Sequence, residues 1–170
     1  MEMVDLGNSF LPALVVGGVA IYFFKMYFKN ENTRRNVTLI RDGKKQTLPI
    51  RLQAFERIVL FLERINPSNL LVRVKPVGDD KLAYTSLLIG TIEQEYEHNL
   101  SQQIYISEES WNIVTSSKNA TIQIIKEVAA DASIANAQML REGVLKKIIQ
   151  TTSPSSVAIS VLKKEAIQLL

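Results

Sequence analysis

Cysteine is absent, and histidine and tryptophan occur once each, as His98 and Trp111. Without thiols the chain has no disulfide framework, no cysteine-ligated zinc site and no thiol nucleophile. A single histidine also rules out the paired Glu-x-x-His motifs of di-iron carboxylate bundles, which need two. Glycine (seven) and proline (five) are sparse, so the composition is neither fibrous nor disordered. No Gly-rich phosphate loop and no Gly-x-Ser-x-Gly occurs, which removes the sequence signals of P-loop and nucleophile-elbow serine chemistry.

What is present is apolar and helical in pattern. Hydrophobic residues make up 46% of the 170, and the net charge is only +3. That length suits one compact domain with an extension. Between Asp5 and Lys25 the uncharged run "LGNSFLPALVVGGVAIYFF" predicts a transmembrane helix. Acidic Glu2 and Asp5 precede it, with no basic n-region, so it reads as an anchor and not a cleaved signal. Lys25, Lys29, Arg34 and Arg35 follow at once, and the positive-inside rule then places the N-terminus outside and the body in the cytoplasm. These four cations are the expected contacts to anionic headgroups, each worth about 1 kcal/mol near such a surface. From Glu31 to Lys45 the basic run lacks the aromatic interleaving of a nucleic-acid groove, so no nucleic acid is expected. Ala13 and Gly17 form a small-xxx-small pair that would let two such helices approach closely.

The organisation expected is an anchor over 1–28, a basic juxtamembrane connector over 29–46 and a helical cytoplasmic domain over 47–170. Asp42-Gly43 within 37–50 signals either a hairpin or a loose linker. From Leu48 to Pro67 the apolar residues Leu48, Leu52, Phe55, Ile58, Val59, Leu62 and Ile65 share one helical stripe, with Ile50, Leu60 and Phe61 widening it. Pro49 suits a first turn, and the helix is expected to be the centre of the domain. A second helix is expected from about Asp80 to Leu100, with Leu82, Leu88, Ile89, Ile92 and Tyr96 inward. Ser107 caps a third, and "TSSKNAT" predicts a break near Asn119 before helix resumes to Gln150. Ser153-Pro154 starts a last helix, whose apolar end is a candidate contact surface. The fold class is therefore all-α, an N-terminal transmembrane helix followed by an antiparallel bundle of four to five helices.

The one motif with chemical promise is Glu95-x-x-His98. A helical wheel puts Tyr96 inward and Glu97 and His98 outward, away from a bundle interior. Glu95, Glu97, His98, Asn99, Gln102 and Gln103 are thus expected to touch a protein partner, with no catalytic residue, metal or cofactor assigned. Two passages, "LPIRLQAFERIVLFLERINP" and "EYEHNLSQQIYISEESW", resemble a family of small bacterial membrane-anchored proteins of unknown function. The resemblance implies a bacterial inner-membrane setting and carries no activity to transfer. The expected role is a membrane-anchored interaction or scaffold protein, or an accessory subunit of an inner-membrane complex. The alternative is a membrane-attached metal-binding or enzymatic bundle using Glu95 and His98.

Overall fold

Helix α1 begins at Glu2 and continues to Ile65. The computed structural model describes residues 2–169, and within α1 it describes the side chains of 16–19, 21–29 and 46–65. The chain divides into two compact units, Met1–Thr47 and Leu48–Leu170.

The first unit is helical. Its described apolar side chains, Val16, Val19, Ile21, Tyr22, Phe23, Phe24, Met26, Tyr27 and Phe28, are all exposed. Among the described residues no helix is long and apolar enough to cross a membrane. This overturns the expected transmembrane helix over 6–24, and with it the single-pass, inner-membrane placement. Of that run, only 16–19 and 21–24 have described side chains. The remainder, 6–15 and 20, lies outside the described side chains, as do Arg34 and Arg35. Helix α1 also runs through the stretch where a hairpin or linker was weighed. Around Gly43 stand Arg41, Lys44, Lys45 and Gln46, all good helix formers, whereas an isolated hairpin is marginal in water.

The second unit opens with the later turns of α1. Pro49, expected to begin a helix, instead lies within one. Ala54, Phe55, Ile58, Phe61, Leu62 and Ile65 are buried at the spacing of one helix face, while Ile50 and Leu60 remain about half exposed. Asn66 then breaks the helix and caps the next, its side-chain oxygen accepting from the Ser68 N–H at 3.2 Å. Pro67 occupies the first turn of α2 (Pro67–Arg73), which buries Leu70 and Leu71 completely. A loop follows in which Gly78 takes φ +103°, a conformation that favours glycine. Asp80 caps α3 (Lys81–Glu97) by accepting from Leu82 N at 2.8 Å and Ala83 N at 3.2 Å.

Tyr84, Leu88 and Ile92 form the buried face of α3. Leu82, expected inward, is 70% exposed. The inward position of that first turn belongs to Tyr84, whose hydroxyl donates to the Val74 carbonyl at 2.7 Å. A 3-10 segment, Leu100–Tyr105, leads to Ser107, whose hydroxyl oxygen accepts from Ser110 N to cap α4 (Glu108–Ala130).

Helix α4 is unbroken, against the expected interruption near Asn119. The poor formers there are held by tertiary contacts. Lys118 bonds Glu93 of α3 at 2.8 Å and lies over the Tyr96 ring, and Ser117 and Thr121 beside it are buried. The break falls instead at 131–136, where Asp131 accepts from Ser133 and Asn136 caps α5 (Ala137–Gln150) through Met139 N at 2.9 Å. Pro154 opens α6 (Pro154–Gln168) in its first turn, while Ser153 stands at the N-cap position without the expected side-chain capping bond.

Helix α4 packs against α3, α5 and α6, and α5 also meets α2 and α3. It has the central place that the sequence pattern assigned to residues 48–65. The reason is side-chain size. Helix α4 buries Ser110, Ser117 and Thr121, which admit close backbone approach, whereas α1 enters the core through Phe55 and Phe61. Helix α6 contributes Ala158, Ile159 and Leu162 to the core, so its inner face is occupied. Among the described residues there is no strand.

Candidate functional site

In the second unit, a cleft of about 440 Å³ opens between the outer side of α1 and the end of α3. Gln53, Glu56, Arg57, Leu60 and Arg64 recur at three- and four-residue intervals on α1, so they rise on successive turns of one face. Phe61 forms the deepest apolar wall, buried to 1% exposure. Glu95, His98 and Asn99 close the opposite side.

Glu95 is committed within the fold. One carboxylate oxygen lies 3.1 Å from Arg64 Nη1 and the other 3.1 Å from Arg73 Nη1. Arg73 additionally donates to the Arg64 carbonyl at 3.4 Å, so α1, α2 and α3 meet at this one acid. Asn99 donates its amide to the Glu95 carbonyl at 2.8 Å, finishing the end of α3. These two expected contact residues are therefore internal fasteners. With both oxygens held by guanidinium groups, Glu95 offers a metal no free lone-pair face comparable to an open carboxylate. Among the described residues no three His, Asp or Glu side chains are grouped as a metal site.

His98 stands at the C-cap of α3, its backbone N–H bonded to the Gln94 carbonyl, with an exposed ring that lines the cleft. Glu97 is exposed beside it. Gln102 is half-buried and donates to the Ser101 hydroxyl at 3.2 Å, while Gln103 is exposed on a 3-10 segment that buries none of its residues. In the first unit Lys25 and Lys29 are exposed. The structure thus brings Glu95, His98 and Asn99 to one cleft, without Gln102 and Gln103.

Two further clusters have no counterpart in the sequence pattern. Tyr96 stacks on Trp111 with ring centroids 5.5 Å apart, and lies 5.9 Å from Phe61. Lys118 places its ammonium 4.6 Å from the centre of the Tyr96 ring and pairs with Glu93 at 2.8 Å. A cation over an aromatic face, with a carboxylate beside it, accounts for a lysine that is only 8% exposed. Elsewhere Glu165 of α6 accepts from Ser107 N at 3.0 Å and the Ser107 hydroxyl at 2.8 Å, with Arg51 3.6 Å away. Arg51 also donates to the Tyr105 carbonyl at 2.9 Å. Burial pushes the Glu165 carboxyl up, but the hydrogen bonds from Ser110 and Ser107 and the Arg51 charge outweigh it and hold the group below its usual value.

The α1 residues of the cleft follow a visible helical spacing, so Gln53, Arg57 and Leu60 could have been read as one face. Pairs separated by 25 or 58 residues, such as Lys118–Glu93 and Ser107–Glu165, leave no local signal. No curated protein and no solved structure matches the chain. A family pattern extends over residues 1–169, and the chain belongs to DUF7935, a family of unknown function.

Proposed function

We propose that the chain is a non-catalytic helical interaction module, whose cleft in the second unit receives a segment of a partner protein. The observation that carries this reading is the contrast between committed and uncommitted groups. Glu95, Arg64 and Asn99 are consumed in internal bonds, whereas Leu60 is 52% exposed between the exposed polar side chains of Glu56 and Arg57. Exposed Gln53 and His98 complete the rim. An apolar anchor ringed by such groups is the composition of a protein contact. The segment that fits would set an apolar side chain on Leu60 and an acidic group against Arg57. The pairing of Glu95 with two arginines further supports binding over metal or acid–base chemistry at this place.

The test uses the full chain with a photo-cross-linking residue at position 60 and, as a control outside the cleft, at position 77. Val77 is 96% exposed and does not line the cleft. A partner captured from position 60 only, and lost in Arg57→Glu with the Trp111 emission unchanged, is the expected result. Equal capture at both positions, or capture indifferent to Arg57→Glu, would refute the proposal.

A further inference from the structure

The face of α1 that lines the cleft is chemically palindromic. Ile50, Gln53, Arg57 and Leu60 are all exposed and follow one another at intervals of three, four and three residues, within an arc of about 80° at 100° per residue. Ile50 is 48% and Leu60 52% exposed, so an apolar residue closes each end of the stripe and two polar residues fill its middle. Glu56, also exposed, stands on the flank about 40° round the helix from Leu60. The segment that the cleft calls for, an apolar side chain on Leu60 with an acid near Arg57, is therefore present on this chain's own α1.

Building on the docking role proposed for the cleft, we infer that the segment it takes is α1 of a second copy of this chain. The two helices lie antiparallel along the same face, about a two-fold axis level with residue 55, the midpoint of 50 and 60. Ile50 then meets the other copy's Leu60, and Gln53 meets the other copy's Arg57, each twice by symmetry. Apolar faces apolar and polar faces polar at every level, as an isologous contact requires. The three-four spacing is the one that keeps two helices packed side by side. Glu56 comes within one turn, about 4.5 Å along the axis, of the other copy's Arg57, whose long stem spans that offset. Charge selects this occupant over an acidic or a basic helix. Glu56 and Arg57 are neighbours, so a segment of one sign would meet a like charge from one of them. A copy of the same face brings one of each, and the centre of the contact then holds two carboxylates and two guanidiniums with no net charge.

The chain has no cysteine, so introduced thiols report this contact directly. Positions 50 and 60 are about 15 Å apart along one helix, beyond the reach of a disulfide within a chain, but they stand opposite each other between copies. Full-length Ile50→Cys/Leu60→Cys should run at twice the 19.1 kDa chain mass after mild oxidation and revert on reduction, whereas Leu60→Cys alone should stay at one chain mass. In light scattering of the cysteine-free chain, Arg57→Glu should halve the mass. Glu56→Arg combined with Arg57→Glu should restore it, with Trp111 emission unchanged in both. A wild type that is monomeric at its highest soluble concentration, a dimer untouched by Arg57→Glu, a swapped double variant that stays monomeric, or equal cross-linking of the single and double cysteine variants would each overturn the inference. Should a charge variant lose native Trp111 emission, the cysteine pair decides by the same criterion. A monomeric chain that captures a different protein from position 60 and not from 77 overturns the second copy and leaves the docking role standing, whereas equal capture at both positions removes the docking role itself.

Discussion

Gly143 offers a test of how closely α4 and α5 are fitted. A methyl group built on it would stand 2.7 Å from Val128 Cγ1 and 3.3 Å from Ile134 Cδ1. On a free helix surface Gly→Ala stabilises by about 1 kcal/mol, because alanine loses less backbone entropy. Here the closest contact is about 1 Å inside the usual carbon–carbon separation of 3.5–4.0 Å. The offending atom belongs to a β-branched side chain with one favoured rotamer on a helix, so it cannot swing aside cheaply. Overpacking of this kind costs about 1–3 kcal/mol. The net expectation for Gly143→Ala is a loss of about 1 kcal/mol, or roughly 4 °C in melting temperature for a unit of this size. Urea unfolding followed through Trp111 measures it, since that is the only tryptophan and it stacks on Tyr96 in the core. Val128→Ala alone should cost about 1.6 kcal/mol for the two carbons lost. Combined, the two changes should cost about 1–2 kcal/mol less than their sum, because the second makes room for the first. A Gly143→Ala protein as stable as wild type, or strict additivity in the double variant, would refute the argument.

The Lys118–Glu93 pair should be asymmetric: Glu93→Ala leaves an ammonium nearly buried, whereas Lys118→Met removes the charge and keeps the stem, so the first should cost about 1–3 kcal/mol and the second under 1, by the same urea assay. Equal losses would contradict this. The Glu165 carboxyl is held below its ordinary 4.5, so its contribution is present above about pH 4.5 and disappears as pH falls through the folded value. Wild type should therefore exceed Glu165→Gln in stability at pH 7, with the gap narrowing below about pH 4.5. A gap independent of pH between 3 and 7, in roughly that window, would show that the carboxylate charge is irrelevant to the junction.

Much of the second unit was legible because its caps are local chemistry. Asp80 and Ser107 each stand where a short polar side chain precedes an apolar pattern, and each caps a helix, while the last helix opens on Pro154 with no bond from the Ser153 side chain. The errors arose where local preference was opposed from a distance. "TSSKNAT" reads as a break on propensity alone. It stays helical because Ser117 and Thr121 fit a tight seam and Lys118 finds Glu93 and Tyr96 on α3. Leu82 was misplaced by counting sevens, when the inward register runs through Tyr84, Leu88 and Ile92. The apolar run before Lys25 was read as a membrane helix by its lack of charge, yet among the described residues no helix meets the length and apolarity needed. Of the candidate site, His98 facing outward followed from the wheel. The arginine clamp on Glu95 did not, since Arg64 and Arg73 lie 31 and 22 residues away from it.

The start of α4 is closed by a residue of α6, Glu165, that comes 58 positions later. A chain emerging from the ribosome can therefore form α4 and its own Ser107 cap early, but the seam meant for α6 stays open until that helix has been made. During that interval the side of α4 that packs on α6 is uncovered. Nascent chains of this protein should accordingly be most in need of a chaperone between synthesis of α4 and synthesis of α6.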